Sequence, residues 1–109
     1  MNKKDKALIL ELKKRLPLKI KKHLKRFIIF GSRVTGEAYE DSDLDVIALV
    51  DRKTAYIEKN FDDIVYQVMW DNDFKPIISL KIFSESKYNT ALNKGYSFYK
   101  NVENQGITL

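Results

Sequence analysis

Cysteine is absent from the 109-residue chain, which excludes a disulfide framework and any zinc site built on thiolates, and which suits a reducing, cytoplasmic setting. Histidine occurs once, as His23, so no histidine-based metal cluster and no Ser-His triad can be assembled, and a surface or helix-end position is the favoured reading for it. No apolar run approaches the ~20 residues that a membrane-spanning helix needs. The basic N-terminus has neither the continuous apolar core nor the small-residue cleavage site of a signal peptide. No linker, internal repeat or low-complexity tract interrupts the chain, so one domain over residues 1–109 is expected.

Apolar residues make up 44% of the chain and aromatic residues 12%, enough for one core. The net charge of +5 is unevenly spread: residues 1–26 hold eleven lysines and arginines against Asp5 and Glu11, and the remainder is net acidic. Such a basic segment either presents a solvated helix face or binds anions such as nucleic acid, nucleotide phosphates or an acidic partner.

The hydrophobic periodicity alternates between helix and strand. Leu8, Ile9, Leu12 and Leu16 recur at helical spacing before Pro17, which predicts a helix over about residues 4–16. Ile20, Leu24 and Phe27 continue a shorter apolar stripe beyond it. Phe27 to Phe30 is a β-prone run stopped by Gly31, and Leu44 to Val50 is a second, apolar at both parities as in a central strand covered on both faces. Ile57, Phe61, Ile64, Val65 and Val68 form one stripe of a long helix over about residues 54–71. Pro76 opens a third strand, Ile77 to Phe83, at a position where a missing N–H is tolerated. Two short helices follow, stopping near Gly95 and Gly106. Trp70 reads as a core or interface aromatic. Tyr88, Tyr96, Phe98 and Tyr99 read mainly as packing, with anchors for a protein partner as the second reading.

The chemistry-bearing residues lie between the first two strands. Gly31 follows a strand directly, so the backbone can turn tightly and approach a phosphate with no side chain in the way. Ser32 can open a short helix whose N–H groups and hydroxyl make an anion site for the phosphates of a nucleoside triphosphate, and Gly36 lets the chain leave it. Asp43 and Asp45 stand two apart at the start of a strand, so both carboxylates project from one face. Aspartate is disfavoured in strands, and two hard oxygen donors there suit magnesium held together with substrate phosphates. In a two-metal site the ions sit ~3.5–4 Å apart, close enough for adjacent carboxylates to bridge them during in-line attack on an α-phosphorus.

Gly31-Ser32, ten intervening residues, then Asp43-x-Asp45 resembles the signature of the DNA polymerase β-type nucleotidyltransferase superfamily, and the short length resembles its minimal stand-alone members. The resemblance implies an α/β (α+β) fold with a small mixed β-sheet flanked by helices. It further implies two magnesium ions, a nucleoside triphosphate donor, with ATP as first choice, and an acceptor hydroxyl. Asp43 and Asp45 would be the catalytic metal ligands, and Gly31, Ser32 and Arg33 would hold the nucleotide. Such minimal members often lie beside a helical HEPN-type protein in toxin–antitoxin modules, where the transferase modifies and silences its partner. A homo-oligomer is compatible with the same sequence.

Two positions depart from the superfamily pattern. Thr35 stands before the second glycine where many relatives carry arginine, leaving Arg33 either to supply that charge or to point into solvent. The third strand, where a third carboxylate is usual, has only Ser79 and Lys81 as polar residues. Glu85, just past its end, is the substitute third metal ligand, while Asp71 and Asp73 read as turn or cap residues. Two rival functions accompany the transferase. One is a non-enzymatic antitoxin or interaction module that keeps the fold. The other, ranked last for want of a recognised reading motif, is a small nucleic-acid-binding domain acting through residues 3–26.

Overall fold

The structure, a computed structural model, describes residues 2–36 and 41–109; residues 37–40 of the sequence motif lie outside the described residues. Helix α1 (Lys3–Arg15) begins where the Asp5 amide donates to the Asn2 side-chain oxygen at 2.7 Å, and it buries Leu8, Ile9 and Leu12. Pro17 then restarts the chain in a single turn, α2 (Leu18–Lys21), which buries Ile20.

The strand expected from Phe27 to Phe30 starts three residues earlier, as β1 (Leu24–Phe30), and takes in Leu24 of the apolar stripe. Leu24 pairs with Val50, and the pairing continues to Phe30 opposite Asp45, so a ladder formed with a segment 20 or so residues away overrides local spacing. The partner strand β2 (Leu44–Val50) occupies the expected residues, and every one of them except Asp45 is buried. The long helix α4 (Ala55–Asp71) starts at Thr54, whose hydroxyl accepts from the Ile57 amide at 3.2 Å. It returns the chain to strand β3 (Ile78–Ser84), which lies parallel to β2 as a helical crossover permits.

Helices α5 (Glu85–Asn93) and α6 (Ser97–Gln105) follow, and a two-residue strand β4 (Ile107–Thr108) pairs antiparallel with β1. The sheet order is β3-β2-β1-β4. The fold is therefore the mixed, helix-flanked sheet that the sequence implies. Among the described residues no helix is long and apolar enough to cross a membrane.

The pleat of β2 divides the core. Leu44, Val46, Ala48 and Val50 face α1 and α4, packing with residues such as Leu12, Phe61 and Val68. Ile47 and Leu49 face α5 and α6, packing with Tyr88 and Val102. Asp45 shares the parity of Ile47 and Leu49 and so lies on the α5/α6 face of the sheet. Trp70 departs from the core reading: it is 65% exposed and stacks with Tyr66, with Phe74 edge-on to both. His23 sits just past α2, its Nδ1 2.9 Å from Asp51.

One polar network ties α5 and α6 to the sheet. The Tyr88 hydroxyl donates to Glu103 Oε2 at 2.7 Å, and Arg26 of β1 donates to the same carboxylate at 3.2 Å and to the Thr108 hydroxyl at 3.0 Å. The Tyr88 hydrogen bond, helped by Arg26, holds the Glu103 carboxyl below the usual carboxylate range. A depressed folded-state pKa contributes stability above the unfolded value, near 4.3 for glutamate, and loses it as pH falls through the folded value. Glu103→Gln is therefore expected to unfold at lower urea than the natural chain at neutral pH, with the gap closing below about pH 4. A gap that stays constant from neutral to acid pH would show that the charge is irrelevant there.

Candidate functional site

β1 delivers the chain to Gly31, whose φ of 84° and ψ of −164° lie in a region that essentially only glycine occupies. A Cβ at this position would stand 2.5 Å from Asp45 Oδ2. Glycine is thus required twice, by the backbone conformation and by the space that the Asp45 carboxylate takes. Gly31→Ala is expected to destabilise the fold by about 1–3 kcal/mol in urea unfolding. An unchanged midpoint would mean that the turn and Asp45 relax together at no cost.

The Gly31 carbonyl accepts from the Val34 and Thr35 amides at 3.0 and 3.2 Å, which winds the single helical turn α3 (Ser32–Thr35). Gly36, in the left-handed region with φ 83°, then turns the chain away. Ser32 opens the turn half-exposed, next to the glycine that touches Asp45.

In the sheet, Asp45 sits between Phe30 of β1 and Ser79 of β3. Asp43 is exposed immediately before β2, two residues away and of the same parity. Burial, reinforced by the neighbouring Asp43 charge, pushes the Asp45 carboxyl above its ordinary range, and Lys81 opposes that shift. A carboxylate pair that resists holding two negative charges is stabilised by an added cation. The structure therefore brings together four of the expected residues, Gly31, Ser32, Asp43 and Asp45. The donor set they offer, two carboxylates at a strand entrance beside a glycine turn, fits a hard divalent cation such as magnesium.

Two expected site residues are placed elsewhere. Arg33 does not point into solvent but is paired with Asp5. Its Nε donates to Asp5 Oδ2 at 2.9 Å, its Nη2 to Asp5 Oδ1 at 3.0 Å and its Nη1 to the Ser42 carbonyl at 2.9 Å. The pair is enclosed, with 10% of the Arg33 side chain and 1% of the Asp5 side chain exposed. Arg33 thus fastens α1 to α3 and to the segment that leads into Asp43, and a guanidinium so engaged is a structural clamp.

Glu85 is removed from the site by strand register. β2 and β3 run parallel from Leu44 opposite Ile78 to Val50 opposite Ser84, so Glu85 follows the far end of the sheet. Ser84 already lies five strand steps of ~3.3 Å, about 16 Å, beyond the level of Asp45, and Glu85 follows it, whereas a magnesium ligand must lie within ~2.1 Å of the ion. Among the described residues no group of three or more acidic, histidine or cysteine side chains is gathered to hold a metal.

Sequence reasoning missed two participants. Asp5, hidden among the cations of α1, is the buried partner of Arg33. Lys81 shares the face of Asp45, a relation visible in sequence only once the β2/β3 register is known.

On the side of α3 that faces α1, a groove of about 860 Å³ runs from Lys4 and Arg33 to Phe74, Pro76 and Ile77. Phe74 joins it to the exposed Tyr66–Trp70 stack. It is presented by a turn in which both Asp73 and Phe74 have a φ of 56°, fixed by the Phe74 amide donating to the Met69 carbonyl at 2.8 Å.

Compared with known proteins, residues 6–99 match the family described as the nucleotidyltransferase domain. No curated protein and no solved structure matches the chain significantly.

Proposed function

The chain belongs to the nucleotidyltransferase domain family, and on that premise we propose that it is a magnesium-dependent transferase moving a nucleoside monophosphate from a nucleoside triphosphate, ATP by first choice, to an acceptor hydroxyl. The observation that carries this reading is the Asp43–Asp45 pair set against the Gly31-Ser32 turn, with Asp45 in the space that a side chain at position 31 would fill. Magnesium, when bound, supplies the positive charge that polarises the reacting phosphate and offsets the charge on the leaving pyrophosphate. Asp43 and Asp45 would hold it, standing two apart at the entrance of β2. Gly31 keeps the turn bare so that a phosphate can approach the backbone, and Ser32 adds a hydroxyl donor at the mouth of α3. The acceptor oxygen bonds to the α-phosphorus as the bond from that phosphorus to pyrophosphate breaks.

Two labels test the reaction type. With magnesium and a suitable acceptor, label at the α-phosphate of ATP becomes covalently attached while label at the γ-phosphate leaves as pyrophosphate. Attachment of the γ label would assign phosphoryl transfer instead.

The acceptor hydroxyl, on this reading, belongs to a helical HEPN-type partner. The aromatic cluster of exposed Tyr66 and Trp70 with half-buried Phe74 is continuous with the groove beside α3 and is the surface that suits this partner. Of the C-terminal aromatics only Tyr96 and Phe98 are exposed, Tyr88 being buried and Tyr99 packed among Phe83, Tyr88 and Phe98. Trp70→Ala is expected to weaken partner binding at least tenfold in titration calorimetry, the scale of an interface aromatic worth over ~1.4 kcal/mol, and to leave the unfolding midpoint nearly unchanged. Equal affinity for the two proteins would move the docking surface elsewhere.

One observation favours a second reading, a binding module with little catalysis. Ser79 stands in register with Asp45 on the adjacent strand, so among the described residues that strand adds no third carboxylate to the pair. Neutralisation of the partner that survives loss of both aspartates would decide for that module.

A further inference from the structure

Resting on the transferase reading, we propose that Lys81 is a catalytic residue that supplies the second positive charge of the reaction centre, so that this chain works with one divalent cation.

The placement follows from strand register. Asp45 pairs with Ser79, and the next residue of that parity on β3 is Lys81, opposite Ile47. Residues of one parity on paired strands share a face, so Asp45, Ser79 and Lys81 line the same side of the sheet. A diagonal neighbour two positions along the adjacent strand has its Cα about 7–8 Å away, within reach of a long side chain. Lys81 is exposed, and among the described residues no carboxylate forms a salt bridge with it. Its four-carbon stem can therefore turn its ammonium toward whatever occupies the space in front of Asp43 and Asp45. That its charge already bears on Asp45 agrees with this placement.

The electrostatics of the face point the same way. Two divalent ions bridged by carboxylates require enough negative charge to offset their mutual repulsion, and among the described residues this face offers Asp43, Asp45 and the Lys81 ammonium. With one divalent ion on Asp43 and Asp45, Lys81 adds a second positive charge on the same face of the sheet. A second divalent ion at the level of Ser79 would meet a hydroxyl, a weak ligand for a hard cation that lacks the carboxylate's charge, and would be repelled by the ammonium. Lysine binds phosphate as a compact point charge with three donors. Its donors would stabilise the charge that develops on the α-phosphoryl oxygens and on the departing pyrophosphate. No proton need move between Lys81 and the substrate, and no further reactant enters.

The test uses the purified full chain with manganese as the spectroscopic substitute for magnesium and a non-hydrolysable ATP analogue. Bound manganese is counted by electron paramagnetic resonance, and analogue affinity is measured separately by calorimetry. One manganese per chain is expected in the natural protein. Lys81→Ala is expected to keep that single manganese without loss of affinity and to bind the analogue at least tenfold more weakly. Lys81→Arg should recover most of that loss, which a merely structural role would not produce. The double variant Ser79→Asp with Lys81→Ala is expected to bind two manganese ions per chain. Two ions in the natural chain, or an analogue affinity indifferent to Lys81→Ala, would overturn the proposal. Failure of the transferase reading would show differently, as one bound manganese and Lys81-dependent analogue binding with no label transferred from α-labelled ATP.

Discussion

Converting Asp43 and Asp45 together to asparagine is expected to lower nucleotidyl transfer from α-labelled ATP by about a thousandfold or more, with the chain still folded. The magnitude follows from the several kcal/mol of transition-state charge stabilisation that a bound metal contributes, since about 4 kcal/mol corresponds to roughly a thousandfold at 1.36 kcal/mol per decade. The fold should tolerate the change because Asp43 is exposed and the surroundings of Asp45 disfavour its charged form. Burial and the adjacent Asp43 charge oppose ionisation of Asp45, and asparagine keeps its shape without that opposition. A thermal midpoint equal to or above that of the natural chain is therefore expected alongside the lost activity. Full transfer by the double variant would remove both residues from the mechanism. A large fall in the midpoint would show that the pair holds the β2 entrance together.

Asp5→Ala is expected to cost about 3–5 kcal/mol in urea unfolding, the largest loss from any single change at a charged residue of α1. Asp5 is 1% exposed and receives two hydrogen bonds from Arg33, of 2.9 and 3.0 Å. Truncating it takes a buried carboxylate and its two hydrogen bonds from a nearly enclosed guanidinium, and losing one partner of a buried ion pair costs far more than losing an exposed pair. Against the 5–15 kcal/mol typical of a folded domain, such a loss threatens the whole structure. The variant Asp5→Leu with Arg33→Met, which removes both charges, should recover a substantial part of it. Because Arg33 also holds the Ser42 carbonyl at 2.9 Å, the single variant should lose more transfer activity than its unfolded fraction explains. A destabilisation below about 1 kcal/mol would mean that the pair behaves as a solvated surface contact.

The contrast between these two pairs shows what local pattern can carry. β2 and α4 were legible almost to the residue, because a run apolar at both parities and a stripe at i, i+4, i+7 and i+8 each have one physical solution. The Gly31-Ser32 turn and the Asp43–Asp45 entrance were legible for the same reason, being short-range geometry at a strand end and a strand start. The start of β1 was not, since Leu24 takes its strand conformation from Val50 across the sheet. β4 has two residues, too few for any period to register. Arg33 and Asp5 are 28 positions apart, and nothing near either one announces the other.

Register accounts for the remaining discrepancies at the site. Glu85 is close to β3 in sequence, but the parallel pairing carries it to the far end of the sheet from Asp45, while Ser79 and Lys81 arrive beside the carboxylates. A one-residue slip between β2 and β3 would have exchanged the faces and buried Lys81. The identity of the residue next to Asp45 is thus decided by apolar packing of Ile78, Leu80 and Ile82 against the opposite core, at a distance from any chemistry.

The account stands most directly on covalent nucleotide transfer. The purified chain, magnesium and ATP labelled at either the α or the γ position would be incubated with a host-cell lysate, with and without ribonuclease treatment, and the label retained on macromolecules after denaturation would be measured. The expected result is retained α label, no retained γ label, and a protein-bound signal that survives ribonuclease and disappears with the Asp43→Asn, Asp45→Asn variant. Retained γ label, or α label undiminished in that variant, would contradict it.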